Sequence, residues 1–337
     1  MEFFGYTLFG SLAGGGLLAV SAVIFIVGLI MIIKGGDWFV DSASWFAEAT
    51  GIPKFVVGAT VVSFATTLPE LLVSVRAAMN GSAQLAIGNA IGSVTANTTL
   101  IMGVSLVAIS AVISRKSFSL KAGLLLGAVV GLTLLSLGGS LPTWSAFILW
   151  AIFLVFMTSN LIEGKKSSAN EEKGEYSKKE IPIRILWFVL GTACIVFGAE
   201  FLVSSGKTLA SSMGISEAII GFTVIALGTS LPELVTTLTA IRKKENSLSV
   251  GNIVGANIID TTLILPLCAV INGRPLAVEK INLVFDFPVC FAACAVAIIP
   301  TVIQGKFKKW QGYALLSIYG LYMLFLVLNE VGVVTLA

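Results

Sequence analysis

Two glutamates set in apolar sequence have the most chemistry to offer. Glu70 closes the run Thr66-Thr67-Leu68-Pro69-Glu70, and Glu233 closes Thr229-Ser230-Leu231-Pro232-Glu233. Neither has a lysine or arginine within one helical turn, and a lone carboxylate is expensive to bury in hydrocarbon. Thr66 and Thr67 precede Glu70 by four and three residues, so in a helix their hydroxyls share its face; Thr229 and Ser230 do the same for Glu233. Pro69 has no N–H for the carbonyl of Ala65, and Pro232 none for that of Gly228. Each helix should break or kink there and free carbonyl oxygens beside the carboxylate. Carboxylates, hydroxyls and carbonyls together form an oxygen-only set, which suits hard cations such as Ca²⁺ at about 2.3–2.6 Å. The alternative is a pair of neutral, hydrogen-bonded glutamates. Two ionised ones facing each other repel unless a cation lies between them.

A second set follows each glutamate. Ser93 and Asn97 are four apart on one helical face, and their counterparts are Ala256 and Asp260. Asp260 adds a third carboxylate. Asn89 and Asn252 are expected either to bond between helices or to touch an ion. Gly88, Gly92, Gly251 and Gly255 keep a narrow flank that lets helices approach closely.

These residues belong to an internal repeat. A shift of 163 residues aligns 51–101 with 214–264 without a gap, and nineteen of those 51 positions are identical. The matches include Gly58/Gly221, Pro69/Pro232, Glu70/Glu233, Asn89/Asn252 and Thr98-Thr99/Thr261-Thr262. Shared hydrophobicity alone would match Leu, Val and Ala, not Gly, Pro, Asn and Glu.

The elements that carry the repeat are membrane helices. The chain has 337 residues, 56% hydrophobic and 12% charged, against about 25% charged in soluble domains. Apolar runs near 20 residues recur, each enough to cross a hydrocarbon core of about 30 Å. Spans are predicted at 17–45, 55–79, 84–111, 119–138, 143–162, 183–206, 218–240, 247–272, 282–303 and 310–330. The expected fold is an all-α membrane protein of ten transmembrane helices, arranged as two inverted five-helix repeats. The first half covers 1–162, with its repeat core at about 51–103; a hinge loop covers 163–182; the second half covers 183–337, with its core at about 214–266. An odd number of spans per half forces the halves into opposite orientations, the plan of secondary transporters whose sites lie near the midplane. Residues 1–16 carry Gly10 and Gly14, either a packing face or a flexible tail.

Charge sets the orientation. Alternate loops place sixteen basic residues on one side, including Lys54, Arg115, Lys121, Lys165, Arg242 and Lys308, and four on the other: Arg76, Lys207, Arg274 and Lys280. The basic side should be cytoplasmic, with the hinge there and both termini outside. There is no histidine, which removes the commonest general base and transition-metal ligand. Cys194, Cys268, Cys290 and Cys294 lie in apolar stretches without a CxxC pair and read as small core residues. The start, Met-Glu-Phe-Phe, lacks the positive region of a cleaved signal peptide. Enzyme chemistry, a cofactor, nucleic acid and a protein partner have no support in the sequence; the lipid bilayer does.

The paired Leu-Pro-Glu and Gly-Asn-x-x-Gly motifs resemble the two alpha repeats of the sodium/calcium exchanger family, within the cation/calcium antiporters. Gly228-Thr229-Ser230-Leu231-Pro232-Glu233 and Gly251-Asn252-Ile253-Val254-Gly255, continuing to Asn257 and Asp260, match that pattern in full. The resemblance covers essentially the whole chain. It implies exchange of Ca²⁺ for Na⁺ in the cell membrane by alternating access. It implies Glu70 and Glu233 as central calcium ligands, with Thr66, Thr67, Thr229, Ser230, Ser93, Asn97 and Asp260 supplying further oxygens to calcium and sodium. It also implies that the first and sixth helices move against the other eight. This chain departs from the pattern: Ala65 and Thr67 replace Gly and Ser, Val94 replaces Asn, Ala256 replaces Ser, and Ser63 stands where the second repeat has Ala226. The alternatives are a calcium/proton antiporter using the same glutamates, a potassium-dependent exchanger, and, as a different class, a cation channel.

Overall fold

The computed structural model describes residues 2–3, 6–7, 15–108, 115–170, 177–213, 228–330 and 333–334. Eleven helices position the site: α1 (Gly15–Thr50), α2 (Lys54–Thr66), α3 (Leu68–Met79), α4 (Ala83–Ala108), α5 (Arg115–Ser136), α6 (Ser145–Asn170), α7 (Ile181–Ser212), α8 (Leu231–Arg242), α9 (Asn246–Ile271), α10 (Asn282–Gln304) and α11 (Lys309–Glu330). Among the described residues, eight are long and apolar enough to cross a membrane, or nine when the bent pair α2–α3 is counted as one span. The first part of the span expected at 218–240, residues 218–227, lies outside the described residues, as do Gly10 and Gly14.

The helices form two zones. α4 and α9 are the innermost, and every residue from Leu248 to Ile259 is buried. Around them α1, α7 and α11 turn apolar side chains outward, among them Val23, Ile26, Ile30, Val189 and Leu321. Such faces are sustainable only against lipid. The main core joins α4, α5, α6, α9 and α10 through Ile87, Ile91, Leu125, Phe156, Ile253 and Phe287.

α1 and α7 pack along glycines. A Cβ at Gly28 would lie 2.9 Å from the Gly198 carbonyl oxygen, and one at Gly35 would lie 2.9 Å from that of Gly191. Gly28 thus meets Gly198 while Gly35 meets Gly191, so the two helices run antiparallel. The 163-residue offset therefore reaches back into α1: Gly28, Ile32, Gly35 and Ser42 correspond to Gly191, Ile195, Gly198 and Ser205.

Three expectations are corrected. The first span, expected at 17–45, is helical from Gly15 to Thr50. The segment 163–182, expected as a loop, continues α6 to Asn170. The reason is local: Glu163 pairs with Lys121 at 2.8 Å, Gly164 rests on Ile52, and Ser168 Oγ donates to the Thr50 carbonyl at 2.6 Å. Those anchors hold a polar stretch, in which Glu163, Lys165, Lys166 and Ala169 are good helix formers, against the end of α1. Lys121, counted as a loop charge, is buried within α5, with its ammonium 4.7 Å from the Phe55 ring centre. Opposite this side, Ser140–Leu141 pairs antiparallel with Leu276–Ala277 and ties the α5–α6 turn to the α9–α10 turn. The four cysteines are free thiols, three of them buried.

Candidate ion-binding site

The site begins at two matching breaks. Thr67 (φ −83°, ψ 4°) separates α2 from α3, whose axes differ by 48°, and Ser230 (φ −87°, ψ 5°) caps α8. Both residues leave helical geometry for the same reason. Each precedes a Leu-Pro pair, and proline at the second helical position has no N–H to continue the earlier turn. Glu70 and Glu233 thereby become the third residue of a new helix, where the positive end of the helix dipole favours a carboxylate.

The inner helices supply the rest. α4 widens into a π turn at Asn97–Ile101 and α9 into one at Asp260–Ile264. The two turns are related by the 163-residue offset, and each starts on a predicted site residue. A π turn adds a residue to the helix and re-aims the side chains around it, which is why such turns gather at functional sites. Glycines bring α9 onto α2: a Cβ at Gly251 would lie 2.3 Å from the Phe55 carbonyl oxygen, and one at Gly255 would lie 2.4 Å from Ser63 Oγ. The expected close approach is present for this pair. For Gly88 and Gly92, the residues that match this α2 segment by the 163-residue offset are 218–226, which lie outside the described residues.

All three carboxylates are buried completely, as are Thr66, Thr67, Ser93, Asn97 and Ser230 to within 2% exposure; Thr229 is half-buried. Glu70 interacts electrostatically with Glu233 and Asp260, and Asp260 with Glu233, so the structure brings these predicted residues together. Hydrogen bonds cross between the repeats. Thr67 Oγ1 has its shorter bond to the Ser63 carbonyl at 2.6 Å and also reaches Glu233 Oε1 at 3.3 Å. Its offset mate Ser230 lies close enough to Glu70 to act on the carboxyl but misses hydrogen-bond geometry. Thr66 Oγ1 donates to Asn252 Oδ1 at 3.2 Å, and Thr229 Oγ1 to Asn89 Oδ1 at 3.3 Å.

Most of the polar atoms here have no partner. Among the described residues, both carboxylate oxygens of Glu70 and of Asp260, Glu233 Oε2, Ser93 Oγ, Ser230 Oγ and both amide atoms of Asn97 are buried and unbonded. No lysine or arginine pairs with Glu70, Glu233 or Asp260 among the described residues. Buried polar groups are nearly always satisfied, and a desolvated carboxylate without a counter-charge is costlier still. Nor do three acidic or thiol groups converge tightly enough to hold a metal unaided among the described residues. The chemistry available is a cradle in which carboxylates supply charge and hydroxyls, amides and carbonyls complete the oxygen shell of a hard cation.

The sequence reading missed charged residues on α1. Asp37 and Asp41 fall inside the predicted first span, and the structure pairs Asp37 with Arg242, and Asp41 with Lys243 at 2.7 Å. Ser44 Oγ and Lys54 Nζ both reach Glu245 at 2.7 Å. Two carboxylates one turn apart in an apolar run were the available signal; their partners, some 200 residues on, were not.

The pattern of the family described as sodium/calcium exchanger protein matches residues 20–161 and 183–328. The sodium/calcium exchanger MaX1 of Methanosarcina acetivorans is 30% identical, aligned over 92% of this chain and 99% of its own length. Inner membrane protein YrbG of Escherichia coli is 33% identical over 76% of this chain and 81% of its own. A solved structure of the sodium-calcium exchanger NCX_Mj superposes with a TM-score of 0.80 at 27% identity, covering 90% of this chain and 98% of that one.

Proposed function

This chain belongs to the sodium/calcium exchanger family, a family of membrane cation antiporters, and from that premise we propose that it exchanges Ca²⁺ for Na⁺ by alternating access, moving net charge. The observation that carries the proposal is the cluster of buried, unpartnered oxygens around Glu70 and Glu233. Together the two glutamates carry a charge of −2, which balances one Ca²⁺ or two Na⁺. Thr66, Thr67, Thr229, Ser230, Ser93 and Asn97 complete the shells, and additional Na⁺ occupies hydroxyl and carbonyl oxygens nearby. More than two Na⁺ per Ca²⁺ makes each cycle carry current. Asp260 has Asn97 as its offset mate, so the site is not symmetric in charge; Asp260 orders the ions rather than neutralising them. Ala256 offers no hydroxyl, so the sodium position beside it is the weakest.

In this reading the chain forms ten transmembrane helices in two inverted halves, 1–162 and 183–337, with the segment 163–182 between them on the cytoplasmic side and both termini outside. The antiparallel contact of α1 with α7, and the hydrogen bonds that join one repeat's hydroxyls to the other's acceptors, support that arrangement. The proposal is tested by calcium uptake into vesicles of the purified protein, driven in turn by an outward sodium gradient and by an outward proton gradient. Sodium-driven uptake is expected; uptake driven by protons alone would assign the chain to proton coupling.

A further inference from the structure

We infer that Asn89 and Asn252 are positioning residues that turn the oxygen lone pairs of Thr229 and Thr66 toward the transported cation, an inference that rests on the reading of this site as the cation site. A hydroxyl ligates a cation through its oxygen and must send its single hydrogen elsewhere. Thr66 Oγ1 donates to Asn252 Oδ1 at 3.2 Å, and Thr229 Oγ1 donates to Asn89 Oδ1 at 3.3 Å. In both bonds the hydroxyl and its acceptor come from different repeats. Each amide is held from its other end, so its oxygen cannot swing away. Asn252 Nδ2 donates to Thr236 Oγ1 at 3.1 Å. Asn89 Nδ2 donates to Ser74 Oγ at 2.9 Å and to the Glu70 carbonyl at 3.2 Å.

Those anchors lie on α8 and α3, the helices that carry Glu233 and Glu70. Each asparagine therefore fixes the carboxylate-bearing helix of its own repeat against the hydroxyl of the other. Each Oδ1 commits one of its two lone pairs to the threonine hydrogen, and each Nδ2 is tied to the helix of its own repeat, so the amide is held in place for that hydrogen bond. Their work is to fix the direction of the threonine dipole before the ion arrives, which removes a reorientation cost from binding. Without the asparagine, the Thr66 hydrogen turns to the other acceptors beside it, the Ser63 carbonyl at 3.3 Å and the Glu233 carboxylate.

The test is a pair of double-mutant cycles in proteoliposomes, reading the calcium dependence of sodium-driven uptake. Asn252→Leu should raise the KM for calcium up to about tenfold while Vmax changes little, the scale of one neutral hydrogen-bond acceptor lost. Added to Thr66→Val it should have almost no further effect, because the group it acts through is already gone; added to Thr229→Val the two effects should multiply. Asn89→Leu should couple to Thr229→Val and not to Thr66→Val. If a leucine variant fails to purify as a monodisperse protein, Asn252→Ala and Asn89→Ala carry the same cycles. Multiplicative effects within the cross-repeat pairs, or a lowered thermal midpoint with unchanged KM, would overturn the inference and leave the function standing. A wild-type protein that moves no calcium would overturn both.

Discussion

Glu70 and Glu233 are buried, and among the described residues no basic side chain pairs with either; in the proposed reading the transported cation balances their charge. Glu70→Gln or Glu233→Gln should lower the initial rate of calcium exchange by about a hundredfold or more, since removing one member of a buried charge set costs about 3–5 kcal/mol. The same variants should fold. In ion-free buffer their thermal midpoints should be no lower than that of the wild type, because an unpartnered buried carboxylate has been replaced by an amide, and added calcium should no longer raise them. Asp260→Asn should differ and retain substantial exchange, because the divalent charge is already balanced without it; uptake rates of the three variants side by side decide this. The carboxylates were legible in the sequence because proline and hydroxyl spacing repeat around both. The partners of the hydroxyls were not. Thr66 precedes Glu70 by four residues, yet its bond is to Asn252, 186 residues away, and helical spacing describes only neighbours on one helix.

At the scale of elements, glycine contacts between helix backbones organise the chain. Along α1 and α7 the backbones touch, and a Cβ at Gly191 would lie 2.8 Å from both the Gly35 oxygen and the Phe39 nitrogen. Backbone cannot yield as a flexible side chain does, so Gly191→Ala should destabilise the protein by about 1–3 kcal/mol despite the better helix propensity of alanine. Gly127→Ala, at an exposed position on α5, should leave the thermal midpoint unchanged or slightly raised. A midpoint for Gly191→Ala at or above that of the wild type would mean that α1 and α7 are not in backbone contact. The helices themselves were readable from apolar run length, within a few residues at most ends. The α6 extension escaped because it is polar, and the α1 extension because Glu48 and Thr50 interrupt the apolar run there. Ser168 and Glu163 look like loop residues until Thr50 and Lys121 are placed beside them. The π turns at Asn97 and Asp260 leave no mark on hydrophobic periodicity, since one extra residue in a buried stretch of helix changes no pattern of polar and apolar faces.

At the scale of the whole molecule, the repeat and the charge distribution set the orientation. Lys166 and Lys280 are both exposed, at opposite ends of the helices. In intact cells, cysteine at 280 should react with an impermeant thiol reagent added outside, and cysteine at 166 only after the membrane is opened, over the background of the four native thiols. The reverse pattern would invert the proposed topology. The duplication was the most legible feature of the chain, because Pro69, Glu70, Asn89 and Thr98-Thr99 recur at one fixed offset. What the sequence withheld is how the two copies interlock, since that depends on contacts between residues far apart in the chain. The most direct test of the whole account is the membrane current during calcium movement in vesicles clamped across a sodium gradient. Sodium-driven calcium entry accompanied by net outward movement of positive charge is the predicted result. Calcium that moves with sodium but carries no net current, or that moves only down a proton gradient, would contradict it.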